Sequence, residues 1–336
     1  MDAFDYTPLP GRVVFGQGTL ARIADEVSRL GCSRAFILSD PHHAKTAAAK
    51  VLELLGSRAV GLSTDAAMHT PVEVTERVLE KLSAAAPDCL VSLGGGSTTG
   101  LGKALALRTG LPQIVVPTTY AGSEATPILG QTEQGRKTTL RSPTVLPRVI
   151  VYDVDLTLGM PARLSVVSGM NAMAHAVEAL YAKDGNPVTS MLAEQGIAAL
   201  AGALPVIAAD SQNLVARSDA LFGAWACGNC LGTVGMALHH KLCHTLGGSF
   251  DLPHAETHTV ILPHAAAFNQ SAAPEALERV ARALDVDSAG AGFFDLAESL
   301  GAPTSLKAIG MSEADLDKAA IRALLDDAYH GRRPTN

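Results

Sequence analysis

Up to Asp153 the chain alternates short apolar runs with amphipathic stretches, and that alternation leaves few folds open. Val13-Val14-Phe15, Ala35-Phe36-Ile37-Leu38, Cys89-Leu90-Val91-Ser92-Leu93, Ile114-Val115-Val116 and Val149-Ile150-Val151-Tyr152 read as strands. Several are apolar without a break, as expected where a sheet is covered on both faces. Between them residues 19–30, 41–55, 71–86 and 97–109 carry helical spacing. Strands and helices in alternation predict an α/β domain with a mainly parallel sheet. Thr132-Glu133-Gln134-Gly135-Arg136-Lys137 reads as a hairpin turn ahead of the last strand.

After Asp153 the strand signals fade, and runs rich in alanine and leucine from about 164 to 325 predict an all-α second domain. Gly159 and Pro161 interrupt the pattern, so the boundary is expected within 155–161. The domains are taken as 1–156 and 157–336, the second completing the active site. With 336 residues, 47% of them hydrophobic, the chain can bury a core in each.

Composition narrows the partners. A net charge of −7 and the lack of a basic run argue against nucleic acid. Met1-Asp2-Ala3-Phe4-Asp5 has neither the basic nor the apolar region of a signal peptide, so a cytoplasmic protein is expected. Five cysteines without regular spacing suit a reducing compartment, and Cys227-Gly228-Asn229-Cys230 has no second CxxC to complete a zinc site. Residues 221–238 carry no charge and raise the question of a membrane span. Gly223, Gly228, Gly232, Gly235 and Asn229 within them favour a buried helix packed closely on its neighbours, so no membrane partner is expected.

Two stretches carry chemistry. Leu93-Gly94-Gly95-Gly96-Ser97-Thr98-Thr99 follows a strand and opens a helix. Its glycines let the backbone approach a pyrophosphate, while amides and dipole at the helix start hold the charge. The second stretch gathers five histidines between His239 and His258. His240 and His244 stand four apart, on one face of a helix. Gly247-Gly248 and Pro253 end that helix and return the chain toward it at His254. Upstream, Asn171 and His175 form another helical pair. One amide oxygen and three imidazoles make the ligand inventory of a divalent-metal site. Capping or core histidines satisfied by backbone are the structural alternative.

These stretches resemble the iron-containing (group III) alcohol dehydrogenase family, which has the dehydroquinate synthase-like fold. Gly169-Met170-Asn171-Ala172-Met173-Ala174-His175-Ala176-Val177-Glu178 is similar to the family's Gly-Met-Asp-Ala-x-x-His-Ala-x-Glu, with asparagine in place of aspartate. His240 to Gly247, Pro253-His254 and Leu262-Pro263-His264 match its remaining histidine motifs. Gly94-Gly95-Gly96-Ser97 with Lys103 is similar to its Gly-Gly-Gly-Ser-x-x-Asp-x-x-Lys, with Gly100 at the aspartate position. His-His-Lys-Leu-Cys-His followed by Pro-His-Ala-Glu-Thr-His is closer to the maleylacetate reductases than to the alcohol-oxidising members.

The resemblance implies NAD(P)H-dependent reduction of the carbon–carbon double bond of (chloro)maleylacetate to 3-oxoadipate, in the degradation of aromatic compounds. The competing expectation is a metal-dependent alcohol or aldehyde dehydrogenase of the same fold. By the same resemblance Thr118, Thr119, Thr126 and Lys137 contact the dinucleotide, and Asp40 faces the adenosine ribose. A carboxylate there repels a 2′-phosphate, so NADH is expected ahead of NADPH; Asp40 can equally cap the helix that follows it. Because Asn171 removes the anionic ligand, no tightly bound metal is expected. His175, His240 and His254 then become hydrogen-bond donors to the developing enolate and His244 the proton donor. Lys241, Arg163 and His258 are candidate partners for the carboxylates of a dicarboxylate substrate. A homodimer is implied, with residues 13–15 as the pairing edge.

Overall fold

The computed structural model describes residues 4–9, 11–133, 136–313, 328–330 and 333–334, without the side chains of Arg136 and Lys137. It divides into an α/β unit, Leu9–Met160, and a helical unit, Pro161–Asn336 with Met1–Pro8. The division thus falls after 160 rather than 156. The strand pattern begins only at Arg12, and nothing in the sequence before it commits those residues to the sheet.

In the α/β unit the parallel strands β1 (Arg12–Gly16), β2 (Ala35–Leu38), β3 (Ala59–Ser63), β4 (Cys89–Gly94), β5 (Gln113–Pro117) and β8 (Val149–Asp153) lie in the order β1-β8-β5-β4-β2-β3. Side chains alternate between the two faces. Ile37, Val91 and Leu93 enter one core with Val14, Ile114, Val116 and Val151. Phe36, Leu38 and Leu90 enter the other, against α3 (Val72–Ala85) and α4 (Gly96–Thr109) through Val78, Leu82, Leu101 and Leu105. The helices α1 (Ile23–Arg29) and α2 (Ala47–Leu55) pack on the first face through Ile23, Val27, Val51 and Leu55. An antiparallel hairpin, β6 (Ile128–Glu133) and β7 (Arg136–Arg141), follows β5.

From β2 the chain moves outward to β3, whereas from β4 it moves the other way to β5. The order reverses between β2 and β4, and the crevice beyond their carboxyl ends is where open parallel sheets bind ligands. Asp40 and Gly94 stand at those ends.

The helical unit comprises α5 (Ala162–Leu180), α6 (Pro187–Ala209), α7 (Leu214–Thr233), α8 (Leu238–Phe250), α9 (His254–Asn269), α10 (Pro274–Leu284) and α11 (Ala289–Ser299). Asn186 and Asn213 cap α6 and α7, their side-chain oxygens accepting from Thr189 and Ala216 amides at 2.9 and 3.0 Å. The α5 helix is buried along almost its whole length, between α6, α7 and α9. The uncharged stretch 221–238 is not one helix, because α7 ends at Thr233 and α8 departs at 95°. A Cβ on Gly223 would lie 2.7 Å from Leu200, so the close packing expected of this stretch is present. By length and composition α6 could span a membrane; here it packs along α5 and α7. The α8 helix runs through Gly247 and Gly248 and stops at Asp251, left-handed at φ 51°.

Candidate active site

In the α/β unit, Gly94 has φ 148°, and a Cβ there would meet Thr98 Oγ1 at 2.5 Å and Asp40 Oδ2 at 2.9 Å. Only glycine fits, in conformation and in space. A Cβ on Gly95 would press on Thr119 at 3.0 Å. With Gly95 as the cap and no side chain bonded there, the amides of Gly96, Ser97 and Thr98 start α4 without intrahelical partners. The Thr118 amide donates to the Gly94 carbonyl at 3.1 Å, joining the β4 and β5 ends. The hydroxyls of Ser39, Thr98, Thr118 and Ser123 are buried without partners. Buried polar atoms in a native fold are normally satisfied, so the orphaned Thr98 and Thr118 hydroxyls beside Gly94 fit a polyanionic ligand.

Asp40 is where the sequence places it, with a different structural role. Its Oδ1 accepts the His43 amide at 3.0 Å and its Oδ2 faces His43 Nδ1 at 2.8 Å. It caps a turn at 41–46, and α2 begins only at Ala47 under Thr46. Thr126 follows the short 123–125 turn. It is buried, and its hydroxyl donates to the Ser123 carbonyl and accepts from Lys103 Nζ at 2.9 Å, so it is spent internally. The side chain of Lys137 lies outside the described residues.

Lys103 was legible only as a retained motif position. Its ammonium, 1% exposed, also donates to the carbonyls of Ser123, Thr126 and Ile128 at 2.5, 2.8 and 2.8 Å. It ties α4 to the 123–128 loop. Burial pulls Lys103 down to about 7, while nearby Glu124 acts in the opposite direction. Glu124 is itself buried and accepts from Tyr152 Oη at 2.8 Å.

In the helical unit, α5, α8 and α9 assemble the histidines. His175 lies 5.0 Å from His240 between ring centroids, and His254 stacks on His244 at 6.3 Å. His175 and His240 are buried and His244 and His254 exposed, so the set runs from interior to surface. Asn171 Oδ1, His175 Nδ1 and His240 Nε2 are buried without partners. Burial, then the neighbouring imidazoles, holds His175 well below the usual histidine range, so it stays neutral.

Glu178, one turn beyond His175, is fully buried and was given no role by sequence reasoning. Its carboxylate accepts the amides of Ala237 at 2.8 Å and His239 at 2.7 Å, and faces His240 Nδ1 at 2.7 Å. It therefore caps α8 and holds the His240 ring by Nδ1, leaving Nε2 to the site. Burial alone would push Glu178 up; the His240 hydrogen bond and charge outweigh it and the group is held low.

His258 is not a partner for a substrate carboxylate. It is fully buried and held neutral by burial, at the centre of the cluster. Its ring lies 4.4 Å from His254, 4.9 Å from His239 and 5.0 Å from His240. Lys241 and Arg163 are exposed. The signal for His239 was its place in a dense histidine motif, which gave it no role.

The resemblance implies iron on Asn171, His175, His240 and His254, and the donor set does not fit it. Asn171 supplies no charge to offset dehydration of the ion. Among the described residues, the triads of histidine, cysteine or carboxylate whose donor atoms lie within 4.8 Å of one another are His239, Cys243, His258 and Cys32, Asp88, Cys89. His175, His240 and His254 are not such a triad.

Comparison with known proteins agrees with both units. The pattern described as iron-containing alcohol dehydrogenase matches residues 10–154, and that of the Fe-containing alcohol dehydrogenase family, C-terminal, matches 165–336. A maleylacetate reductase from Rhizobium sp. (strain MTP-10005) is 56% identical over 99% of this chain and 100% of its own. The crystal structure of maleylacetate reductase from Agrobacterium tumefaciens has a TM-score of 0.96 at 55% identity, covering 99% of this chain and 100% of that one. A putative alcohol dehydrogenase from Ralstonia eutropha JMP134 has a TM-score of 0.98 at 52% identity, with both chains fully covered. With both halves matched and relatives similar end to end, the chain is an oxidoreductase that belongs to the iron-containing alcohol dehydrogenase family, in the branch of the maleylacetate reductases.

Proposed function

We propose that this chain reduces the carbon–carbon double bond of maleylacetate with NADH, giving 3-oxoadipate, and that it does so without a bound metal. The carrying observation is the neutral Asn171 beside unpartnered His175 and His240 nitrogens, in place of a converging anionic ligand set. The Gly94–Gly96 cradle, the Ser97 amide, Thr118 and Thr119 would hold the pyrophosphate, and Asp40 the ribose. Bound there, NADH supplies the hydride.

Hydride addition to the alkene carbon moves charge onto the ketone oxygen, and a proton at the α-carbon completes the reaction. Imidazole and amide N–H groups of His175, His254 and Asn171 stabilise that oxygen, beside a His240 ring whose Nδ1 is held by Glu178; a well-placed donor contributes about 3 kcal/mol in such sites. His244, exposed one turn from His240, delivers the proton. The substrate's carboxylates have His244, His254 and the uncapped amino end of α9 in the helical unit to meet them.

The cytoplasm suits the five free cysteines. A homodimer through β1 suits its place at the sheet edge, where Phe15 is 38% exposed.

The test is NADH oxidation with freshly generated maleylacetate, with and without a strong chelator. Chelator-insensitive turnover is expected; activity on aldehydes alone, restored by metal, would replace this reading with a metal-dependent dehydrogenase. Asp40→Ser is expected to shift the NADH-to-NADPH ratio of kcat/KM by roughly tenfold toward NADPH. An unchanged ratio would remove Asp40 from the ribose.

A further inference from the structure

We propose that His239, Cys243 and His258 form a binding site for a soft transition-metal ion such as Zn2+, separate from the residues at the family's metal position. The three side chains are 1%, 1% and 0% exposed. His239 and Cys243 are one turn apart on α8, and His258 comes from the second turn of α9. His239 Nε2 lies 3.0 Å from His258 Nδ1 and 3.6 Å from Cys243 Sγ. Tetrahedral zinc, with Zn–N near 2.05 Å and Zn–S near 2.3 Å, places neighbouring ligand atoms about 3.3 Å apart for N···N and about 3.6 Å for N···S. The observed spacings need only a small opening of the two rings.

The chemistry of the donors agrees. Both rings are buried with His239 Nε2 and His258 Nδ1 turned toward each other and toward Cys243. The opposite nitrogens, His239 Nδ1 and His258 Nε2, have no partners, so a tautomer change that frees both donors for an ion breaks no other hydrogen bond. Burial and then the Glu178 charge push the Cys243 thiol up, so the ion itself must drive off its proton: binding breaks the S–H bond, forms a metal–sulfur bond and releases one proton to solvent. A divalent ion with one thiolate leaves a single positive charge, and the buried Glu178 carboxylate, near enough to act on Cys243 through its charge, offsets it. Without that carboxylate the buried ion would be prohibitively costly. Sulfur and imidazole select zinc, cobalt or copper over magnesium or manganese. The other converging triad is less suited, because Asp88 already accepts the amides of Ser33 and Arg34, each at 2.8 Å.

An ion here holds the rings that pack against His240 and His254, so it is expected to slow the reductase rather than assist it. The test is titration of chelator-treated protein with Co2+, followed by absorbance. A stoichiometric thiolate-to-cobalt charge-transfer band, displaced by Zn2+, is expected in the wild type. It should persist in Cys32→Ser, Asn171→Ala and His254→Ala and vanish in Cys243→Ser. Should Cys243→Ser fail to fold, His258→Gln, which removes an imidazole ligand and spares the sulfur, is expected to weaken cobalt binding at least tenfold. No band in the wild type, a band surviving Cys243→Ser, a band lost in Cys32→Ser, or His258→Gln binding cobalt as tightly as wild type would each overturn the site.

Discussion

Glu178 shows how one buried side chain sets the chemistry of another. One carboxylate oxygen faces the His239 amide, and the other faces the Ala237 amide and His240 Nδ1. Glutamine has a single acceptor oxygen, so Glu178→Gln points an NH2 group at an N–H donor in either orientation. An unsatisfied buried donor costs about 1–3 kcal/mol, and His240 loses the carboxylate that holds its ring. We expect kcat to fall on the order of a hundredfold with the KM for NADH little changed, since the nucleotide cradle lies in the other unit. Steady-state kinetics with both substrates varied would show it; an equal rise in both KM values at constant kcat would contradict it. Much of the site was legible at this scale, because Asn171, His175, His240, His244 and His254 announce themselves by chemistry and helical spacing. Glu178 and His258 did not. Their roles depend on burial between α5, α8 and α9, and a sequence shows neither which face a charged group occupies nor what it meets there. The bond from Lys103, on a distant helix, to the Thr126 hydroxyl was hidden for the same reason.

At the level of elements, the first turn of α4 is held by a loop that sequence reading passed over. A Cβ on Gly100 would sit 2.3 Å from Thr70 Oγ1, so the missing side chain is the space Thr70 fills. The loop is held there against its own preference, with His69 and Thr70 both left-handed at φ 63° and 48°. Such a conformation costs a β-branched residue about 1–2 kcal/mol. Its anchor is the Thr132 amide, which donates to the Thr70 carbonyl at 3.3 Å. Gly100→Ala is therefore expected to destabilise the protein by about 1–3 kcal/mol, and Thr70→Gly to recover most of that loss. Urea unfolding of both single variants and the double variant tests the coupling; additive effects would mean the two residues do not compete for space. Strands with continuous apolar runs were readable because burial on both faces leaves no other composition. The β3 strand, Ala-Val-Gly-Leu-Ser, was not, since it is a half-exposed edge with a glycine at its centre. The glycine pair in α8 misled for the opposite reason. Packing of Leu246 and Leu252 into the core beside Cys243 carries the helix past Gly247 and Gly248, and the stop falls to a left-handed aspartate.

Across the whole molecule, the buried ionisable groups tilt stability toward alkaline pH. His175, His239 and His258 are depressed by burial, His239 to about 3. Below the unfolded value of 6.5 the unfolded chain binds protons that the folded chain refuses. Stability is therefore full above pH 6.5 and falls as pH drops toward the folded values. Each group contributes up to about 1.4 kcal/mol per pH unit, so three together approach about 4 kcal/mol per unit, against a total stability of roughly 5–15 kcal/mol. Glu178, held low, loses its stabilising charge in acid and adds to the slope, while Glu124, pushed up by burial, opposes it. Three histidines and one carboxylate outweigh one carboxylate. In the α/β unit Lys103, pulled down by burial to about 7 from 10.5, works in a higher window with the same sign. Between those values the unfolded chain again holds the extra proton, so stability rises with pH. Urea midpoints measured in chelator should thus climb steeply from pH 5 to 6.5 and continue upward to about pH 8, above which the thiols of Cys89, Cys227, Cys230 and Cys243, pushed up by burial, oppose the rise. His258→Asn should flatten the lower limb, and Lys103→Met the upper one while lowering stability throughout, because four acceptors lose their donor. A midpoint that peaks near pH 6 and already declines by pH 8 would mean these groups are charged in the folded protein, and the neutral His175 of the proposed reductase site would go with it.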